Sequence, residues 1–156
     1  MDREFVVGGF PRSGNMYLYS VLQTHFPTVS FVEKVGHISS LKLTNSIVPI
    51  RNPYESVPSW SVFGQEKNLE NIALWNLRFL KSILFYNKSL IIVDFNVLIK
   101  DYKTSVNQIA KVINQIPVNP TNARFDINSN ISSYNYYESS TMKKCFTVYK
   151  DILKLI

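Results

Sequence analysis

Three groups of residues in this chain have the types and spacing to handle an anion and a proton. The first is the turn Gly8-Gly9-Phe10-Pro11-Arg12-Ser13-Gly14-Asn15-Met16-Tyr17. Ahead of it, Phe5-Val6-Val7 is a β-branched and aromatic run suited to a buried strand. Behind it, apolar residues resume at helical spacing at Tyr17, Leu18, Val21 and Leu22. A glycine-rich turn feeding a helix N-terminus offers backbone N–H groups and a positive dipole end, which suit phosphate or a similar anion. The second group is Arg51-Asn52-Pro53, with Ser59 eight residues after the arginine. Arginine presents a charged planar fork to an oxyanion, and Asn52-Pro53 reads as a helix cap followed by the first helical residue. The third is His37, which follows Gly36 after a run of strand formers. An imidazole titrating near neutrality can take a proton from a hydroxyl group. Glu33 lies in the same run, whereas His25 at the end of the first helical pattern reads as structural.

The turn departs from a nucleotide-phosphate loop at a decisive place. Gly9 and Gly14 have the spacing of G-x-x-x-x-G-K-S/T, but Asn15 and Met16 stand where that pattern has Lys and Ser/Thr. Met16 cannot hold the magnesium that phosphoryl transfer normally needs. The cation sits inside the loop instead, at Arg12. Anion binding without a metal is the expected chemistry.

The elements that must position these groups alternate. Strands are expected at 5–7, 29–35, 46–50 and 90–93, the last as the continuous apolar run Leu90-Ile91-Ile92-Val93 of a strand buried on both faces. Pro49 argues against a central place for the third strand, since it donates no ladder hydrogen bond, unless it marks a bulge or the end of pairing. Helices are expected from Tyr17, from Pro53, over 67–86 and around Val106, Ile109, Ala110 and Ile113. The 67–86 helix carries a stripe of Leu69, Ala73, Leu77, Leu80 and Leu84, widened by Ile72 and Ile83. A closing helix carries Met142, Cys145, Phe146, Tyr149, Ile152, Leu153 and Ile156, read as core rather than as a partner surface. Residues 39–45 read as a loop or short helix, and 117–138, rich in Pro, Asn, Ser and Tyr, as a long ordered loop or lid. Alternating strands and helices imply crossover connections and a parallel sheet, with ligands bound beyond the carboxyl ends of the strands. The 8–17 turn, His37 and Arg51 all fall at such ends.

Composition bounds the partners. The chain has 156 residues, 46% hydrophobic and 18% charged, which suits one domain with a packed core over 1–156. A net charge of +6 favours an anionic partner. The basic residues are scattered rather than clustered, which argues against nucleic acid and a membrane surface as partners. Cys145 is the one cysteine, leaving no internal disulfide and no paired-cysteine metal site. No run of 18 apolar residues and no signal-peptide pattern is present, so a cytoplasmic location is expected.

On these residues the chain resembles the PAPS-dependent sulfotransferases (PAPS is 3′-phosphoadenosine 5′-phosphosulfate). Phe10-Pro11-Arg12-Ser13-Gly14 is similar to the family's 5′-phosphosulfate loop, Pro-(Lys/Arg)-Ser-Gly-Thr followed by Thr and an aromatic residue. Arg51-Asn52-Pro53 with Ser59 is similar to its 3′-phosphate motif, and Phe95 to Asp101 is similar to its Tyr-Glu-Asp-Leu segment, with Asn96 and Val97 replacing both acids. The similarity spans roughly residues 4–115. It implies an α/β fold, a three-layer α/β/α arrangement with a central mainly parallel sheet like that of P-loop nucleoside triphosphate hydrolases. It implies PAPS as co-substrate, PAP (the desulfated nucleotide) as product, and no metal. The acceptor would be a hydroxyl or amine on a small molecule, glycan or peptide. In residue terms it implies Arg12 on the 5′-phosphate and bridging oxygen, with backbone N–H groups from Ser13, Gly14, Asn15 and Met16. Tyr17 would stand where the family often packs a Trp on adenine. Arg51 and Ser59 would hold the 3′-phosphate, and His37 would be the acceptor base, with Lys34 three residues before it rather than the usual two and Glu33 as the alternative base. Asn15 and Met16 replace two hydroxyls of the family loop, and its C-terminal G-x-x-G-x-x-K segment is not visible; Lys143, Lys144 or Arg124 are candidates to replace it. The rival readings are a P-loop nucleotide or small-molecule kinase and a non-catalytic nucleotide-binding protein on the same fold.

Overall fold

The computed structural model of the chain describes residues 3–34, 45–119 and 136–156. Among these the elements run β1 (Glu4–Val7), α1 (Asn15–His25), β2 (Ser30–Glu33), β3 (Ser46–Ile50), α2 (Pro53–Phe63), α3 (Leu69–Phe85), β4 (Leu90–Asp94), α4 (Phe95–Lys100), α5 (Tyr102–Ile113) and α6 (Ser140–Leu153). The four described strands form one all-parallel sheet in the order β2-β1-β3-β4.

Strand alternation divides the apolar residues between two cores. Phe5, Val7, Ile47 and Val93 face one side and pack with Leu18, Val21 and Leu22 of α1, Leu98 of α4, and Val106 and Ile109 of α5. Val48, Ile50 and Ile92 face the other and pack with Val57 of α2, Ile72, Leu80 and Ile83 of α3, and Met142, Cys145 and Ile152 of α6. Helices thus cover both faces of the sheet. Each fully buried Leu or Ile contributes about 1.5–3 kcal/mol. The connection β1-α1-β2 runs one way from the centre and β3-α2-α3-β4 the other. Right-handed crossovers in opposite directions put their helices on opposite faces, as found here. The order reverses between β1 and β3, so their carboxyl ends part at a crevice.

Pro49 lies in β3, an interior strand, without a broken ladder. The carbonyl of Ile47 faces β1 and accepts the Gly8 N–H at 3.1 Å. Two residues on, Pro49 faces the same side. There the β1 register, Val6 with Ser46 and Val7 with Ile47, has already ended. The missing N–H therefore falls where no strand needs it, while β4 stays paired along the other side through Asp94. Gly8 is required at that point because a Cβ on it would run into the Lys34 backbone carbonyl.

The helices begin where capping chemistry puts them. Side chains of Asn52, Asn68, Asp94, Asp101 and Ser139 accept backbone N–H bonds at the starts of α2 to α6. The first helix starts at Asn15, two residues before the expected Tyr17, and β2 is confined to Ser30–Glu33. The buried face of α3 includes Ile72, Ala73, Phe79, Leu80 and Ile83, with Leu69 and Leu84 only part-buried at its ends. The last helix is core at Met142, Cys145, Tyr149 and Ile152, where Cys145 donates its S–H to the Ala73 carbonyl at 3.3 Å, but Phe146 and Leu153 are only part-buried and Ile156, expected in the same stripe, lies exposed beyond the end of the helix. Of the expected 117–138 loop, residues 120–135 lie outside the described residues. Its end is tied down, with Tyr136 stacked on Tyr54 at 5.3 Å and Tyr137 donating to Glu70 at 2.6 Å.

Candidate functional site

The sheet brings the 8–17 turn and the 51–59 stretch together at the carboxyl ends of β1 and β3. Arg12 is the meeting point. Its Nε donates to Ser59 Oγ at 2.9 Å, and its carbonyl accepts from Arg51 Nη1 at 2.7 Å. Its backbone is left-handed, with φ of 65°, a conformation that is uncommon outside glycine and clusters at functional sites. Its guanidinium also lies over the Phe63 ring, 4.2 Å from the centroid.

Arg51 is only 4% exposed. Its Nε pairs with Glu55 Oε2 at 3.1 Å, four residues along the start of α2. Its guanidinium faces the Phe95 ring at 4.5 Å. The remaining nitrogen, Nη2, is out of solvent and has no hydrogen-bond partner among the described residues. A buried donor on a cation costs several kcal/mol unless an acceptor reaches it. Arg12 lies against Ser59 and Phe63 rather than Glu55, so among the described ion pairs Glu55 neutralises Arg51 alone.

The start of α1 is the other open set of donors. Gly14 occupies the N-cap in the left-handed region, φ 85°, and α1 has no side-chain cap, unlike α2 to α6. The intrahelical ladder opens with Leu18 N–H to the Gly14 carbonyl at 2.9 Å, so the N–H groups of the first turn have no intrahelical acceptor. A Cβ on Gly14 would come within 2.6 Å of Phe95 Cδ2. Asn15 does not replace the lysine of a nucleotide-phosphate loop. Its side chain is buried and donates to the Phe10 carbonyl at 3.1 Å, pinning the turn from inside. Phe10 in turn is held edge-on by Trp60 at 5.0 Å.

The other expected residues divide. Ser13 and Ser59 are buried in the turn and in α2, while Met16 is 71% exposed at the first turn of α1. Tyr17 is half-buried against the α1/α5 core; burial, then Tyr102, pushes its hydroxyl pKa up. Glu33 ends β2 opposite Val7, and Lys34 is exposed just beyond it. His25 is structural: its Nδ1 lies 2.8 Å from the Val21 carbonyl, and its ring packs on Tyr102. Lys143 and Lys144 lie on the exposed face of α6. His37 and Arg124 lie outside the described residues. Three contributors were not anticipated. Glu55 is signalled only by its i+4 spacing from Arg51, Phe95 only as the first residue of the 95–101 segment after a buried strand, with no role of its own, and Phe63 by nothing in the sequence. Among the described residues no helix is long and apolar enough to cross a membrane.

The fold defines the class of arrangement: an α/β protein with a parallel sheet whose strand order reverses between β1 and β3, with Arg12 and Arg51 meeting there. Beyond that class, comparison with protein-family models, curated proteins and solved structures finds no match for this chain.

Proposed function

We propose that this chain is a minimal sulfotransferase that moves a sulfuryl group from PAPS to an acceptor hydroxyl or amine. The observation that carries the reading is the buried Arg51, whose Nη2 lacks a partner among the described residues while Nη1 holds the carbonyl of Arg12. The two stretches that resemble the 5′- and 3′-phosphate motifs are thereby one site. A buried, unpaired guanidinium nitrogen fits a phosphate oxygen, and the uncapped start of α1 fits a second phosphate. Arg51 and Ser59 would hold the 3′-phosphate, and the 12–17 turn the 5′-phosphosulfate. When bound, PAPS supplies a sulfuryl group on a phosphate leaving group, which bears less charge than a phosphoryl group and so needs no metal in this reading. Arg12 offers a guanidinium to the charge that builds on the bridging oxygen. Ser59 holds Arg12 Nε and sets its orientation. His37 is the proposed acceptor base, with Glu33 as the alternative.

The kinase reading is weakened by Asn15, whose amide is spent on Phe10 instead of standing as a cation at the Walker lysine position. The non-catalytic reading is favoured by the two hydroxyls lost at Asn15 and Met16. Calorimetric titration with PAP, AMP, ADP and ATP, with and without magnesium, separates these readings when paired with a turnover assay. PAP should bind far more tightly than AMP and without magnesium. Equal affinity for PAP and AMP sinks the assignment, and magnesium-dependent ATP binding restores the kinase.

A further inference from the structure

Phe95 sits at the carboxyl end of β4 as the first residue of α4, whose start is fixed by Asp94 accepting the Asn96 N–H at 2.8 Å. The ring is 5% exposed and touches two groups that belong to different parts of the site. Its Cδ2 and Cε2 fill the space where a Gly14 Cβ would stand, at 2.6 and 2.7 Å. Its face lies against the guanidinium of Arg51, 4.5 Å from Cζ to centroid. One rigid ring therefore spans the N-cap of α1 and the buried arginine.

We propose that Phe95 is a positioning residue that couples the two anion loci, so that a phosphate at the 12–17 turn favours a second phosphate at Arg51. The inference rests on the phosphate reading above. An aromatic ring has no internal freedom beyond two torsions, and a cation over its face is held there by the ring quadrupole. Arg51 is gripped at Nε by Glu55, at Nη1 by the Arg12 carbonyl and on its flat face by Phe95. Those contacts aim Nη2. Gly14 has no side chain to absorb a shift, so any movement of the turn towards an anion is passed to the ring and from the ring to the guanidinium. Phe95 itself brings no polar atom to a ligand; its effect is on where Arg51 points.

The test uses PAP and AMP as probes against wild type, Phe95→Leu and Phe95→Tyr. Phe95→Leu keeps apolar volume and loses the face, whereas Phe95→Tyr keeps it. The PAP-to-AMP affinity ratio should fall about three- to thirtyfold in Phe95→Leu, the range of a partly desolvated cation–π contact. AMP affinity itself should hold, and Phe95→Tyr should keep the wild-type ratio. Equal weakening of PAP and AMP, or a lost ratio in Phe95→Tyr, overturns the proposal, since a residue that only supports the fold changes both ligands together. If Phe95→Leu does not fold, Phe95→Met carries the same expectations. A ligand-free arm judges the coupling on its own: thermal-unfolding double-mutant cycles pairing Phe95→Leu with Arg51→Met and with Gly14→Ala. Non-additivity in both cycles supports the coupling and additivity overturns it. Should wild type bind PAP and AMP equally, the sulfotransferase reading falls, and these cycles still decide whether Phe95 links the turn to Arg51.

Discussion

Replacing Arg51 with Met separates a ligand-binding arginine from a structural one, because the structure predicts opposite-sized effects on binding and on stability. Arg51→Met removes the bond to the Arg12 carbonyl, a loss of about 1.5–3 kcal/mol for a hydrogen bond to a charged group. It removes the contact with Phe95, worth about 0.5–2 kcal/mol because both partners are largely out of water. It also releases Glu55, whose side chain is 41% exposed, so that pair contributes below about 1 kcal/mol. Against these, the orphaned Nη2 disappears, which returns about 1–3 kcal/mol. The apolar stem of Met stays beside Phe95. At the middle of these ranges the net is a destabilisation of about 2 kcal/mol, or a Tm lower by roughly 4–8 °C in a chain of this size. Binding is different, because the bound anion loses its buried counter-charge, a cost of about 2–5 kcal/mol in PAP affinity. That is about thirtyfold to several thousandfold in Kd. Calorimetry with PAP and a thermal melt on the same preparations measure both numbers. A variant that melts lower yet keeps its PAP affinity would show that Arg51 serves only to tie β3 to the turn.

Three further outcomes follow from the geometry. Arg12→Ala should lower turnover by roughly 10²–10³ while PAP binding falls less, and Arg12→Gly should be about 1 kcal/mol more stable than Arg12→Ala because only glycine accepts φ of 65° without strain; equal stabilities in denaturant unfolding would contradict the left-handed turn. Gly14→Ala combines a left-handed backbone with a Cβ 2.6 Å from Phe95 and should cost roughly 2–5 kcal/mol in the same assay, so a near-wild-type midpoint would refute the packing. Burial pushes the Cys145 thiol up to about 12 from 9.0 and the Tyr149 hydroxyl likewise to about 12 from 10.0. Both are neutral when folded and ionise more readily when unfolded, so stability is full below about pH 9 and falls as pH rises from about 9 towards about 12. The alkaline fall in Tm should be shallower in Cys145→Ala, with Tyr149 accounting for part of what remains, and an unchanged slope would place the thiol in contact with water.

The parts of the fold that local chemistry decides were legible in the residues. Apolar runs marked β3 and β4, the 3.6-residue spacing marked α3 and α6, and the Asn52-Pro53 pair marked the start of α2. Arg12, Arg51 and Ser59 could be named because charge, hydroxyl and spacing are written in the chain. Their mutual contacts could not, since those depend on β1 and β3 lying side by side, a pairing 39 residues apart in sequence for Arg12 and Arg51. Phe95 was visible only as part of a segment, because its role comes from touching Gly14 and Arg51 at once. The left-handed backbone of Arg12 left no trace, as nothing in an arginine advertises positive φ. Pro49 was legible as an end of pairing: the objection to proline in an interior strand is right for a full ladder, and here the ladder on that side stops first.

The hydroxyl of Ser59 reaches Arg12 because of where it falls on a rotating axis. Helix α2 begins at Pro53, which puts Ser59 at its seventh residue. Each residue turns an α-helix by about 100°. One residue inserted or deleted between Pro53 and Ser59 would swing the hydroxyl about 100° around the helix, away from Arg12, while Arg51 ahead of the helix stayed where it is. Pro58, immediately before Ser59, tightens this dependence, since it fixes φ and withholds the N–H that the Tyr54 carbonyl would otherwise receive. The stretch 51–59 thus behaves as a ruler with a fork at one end and a latch at the other. Transplanted into another scaffold, it would have to travel whole. A chain with the same Arg-Asn-Pro and a serine one place out of step would present the fork without the latch.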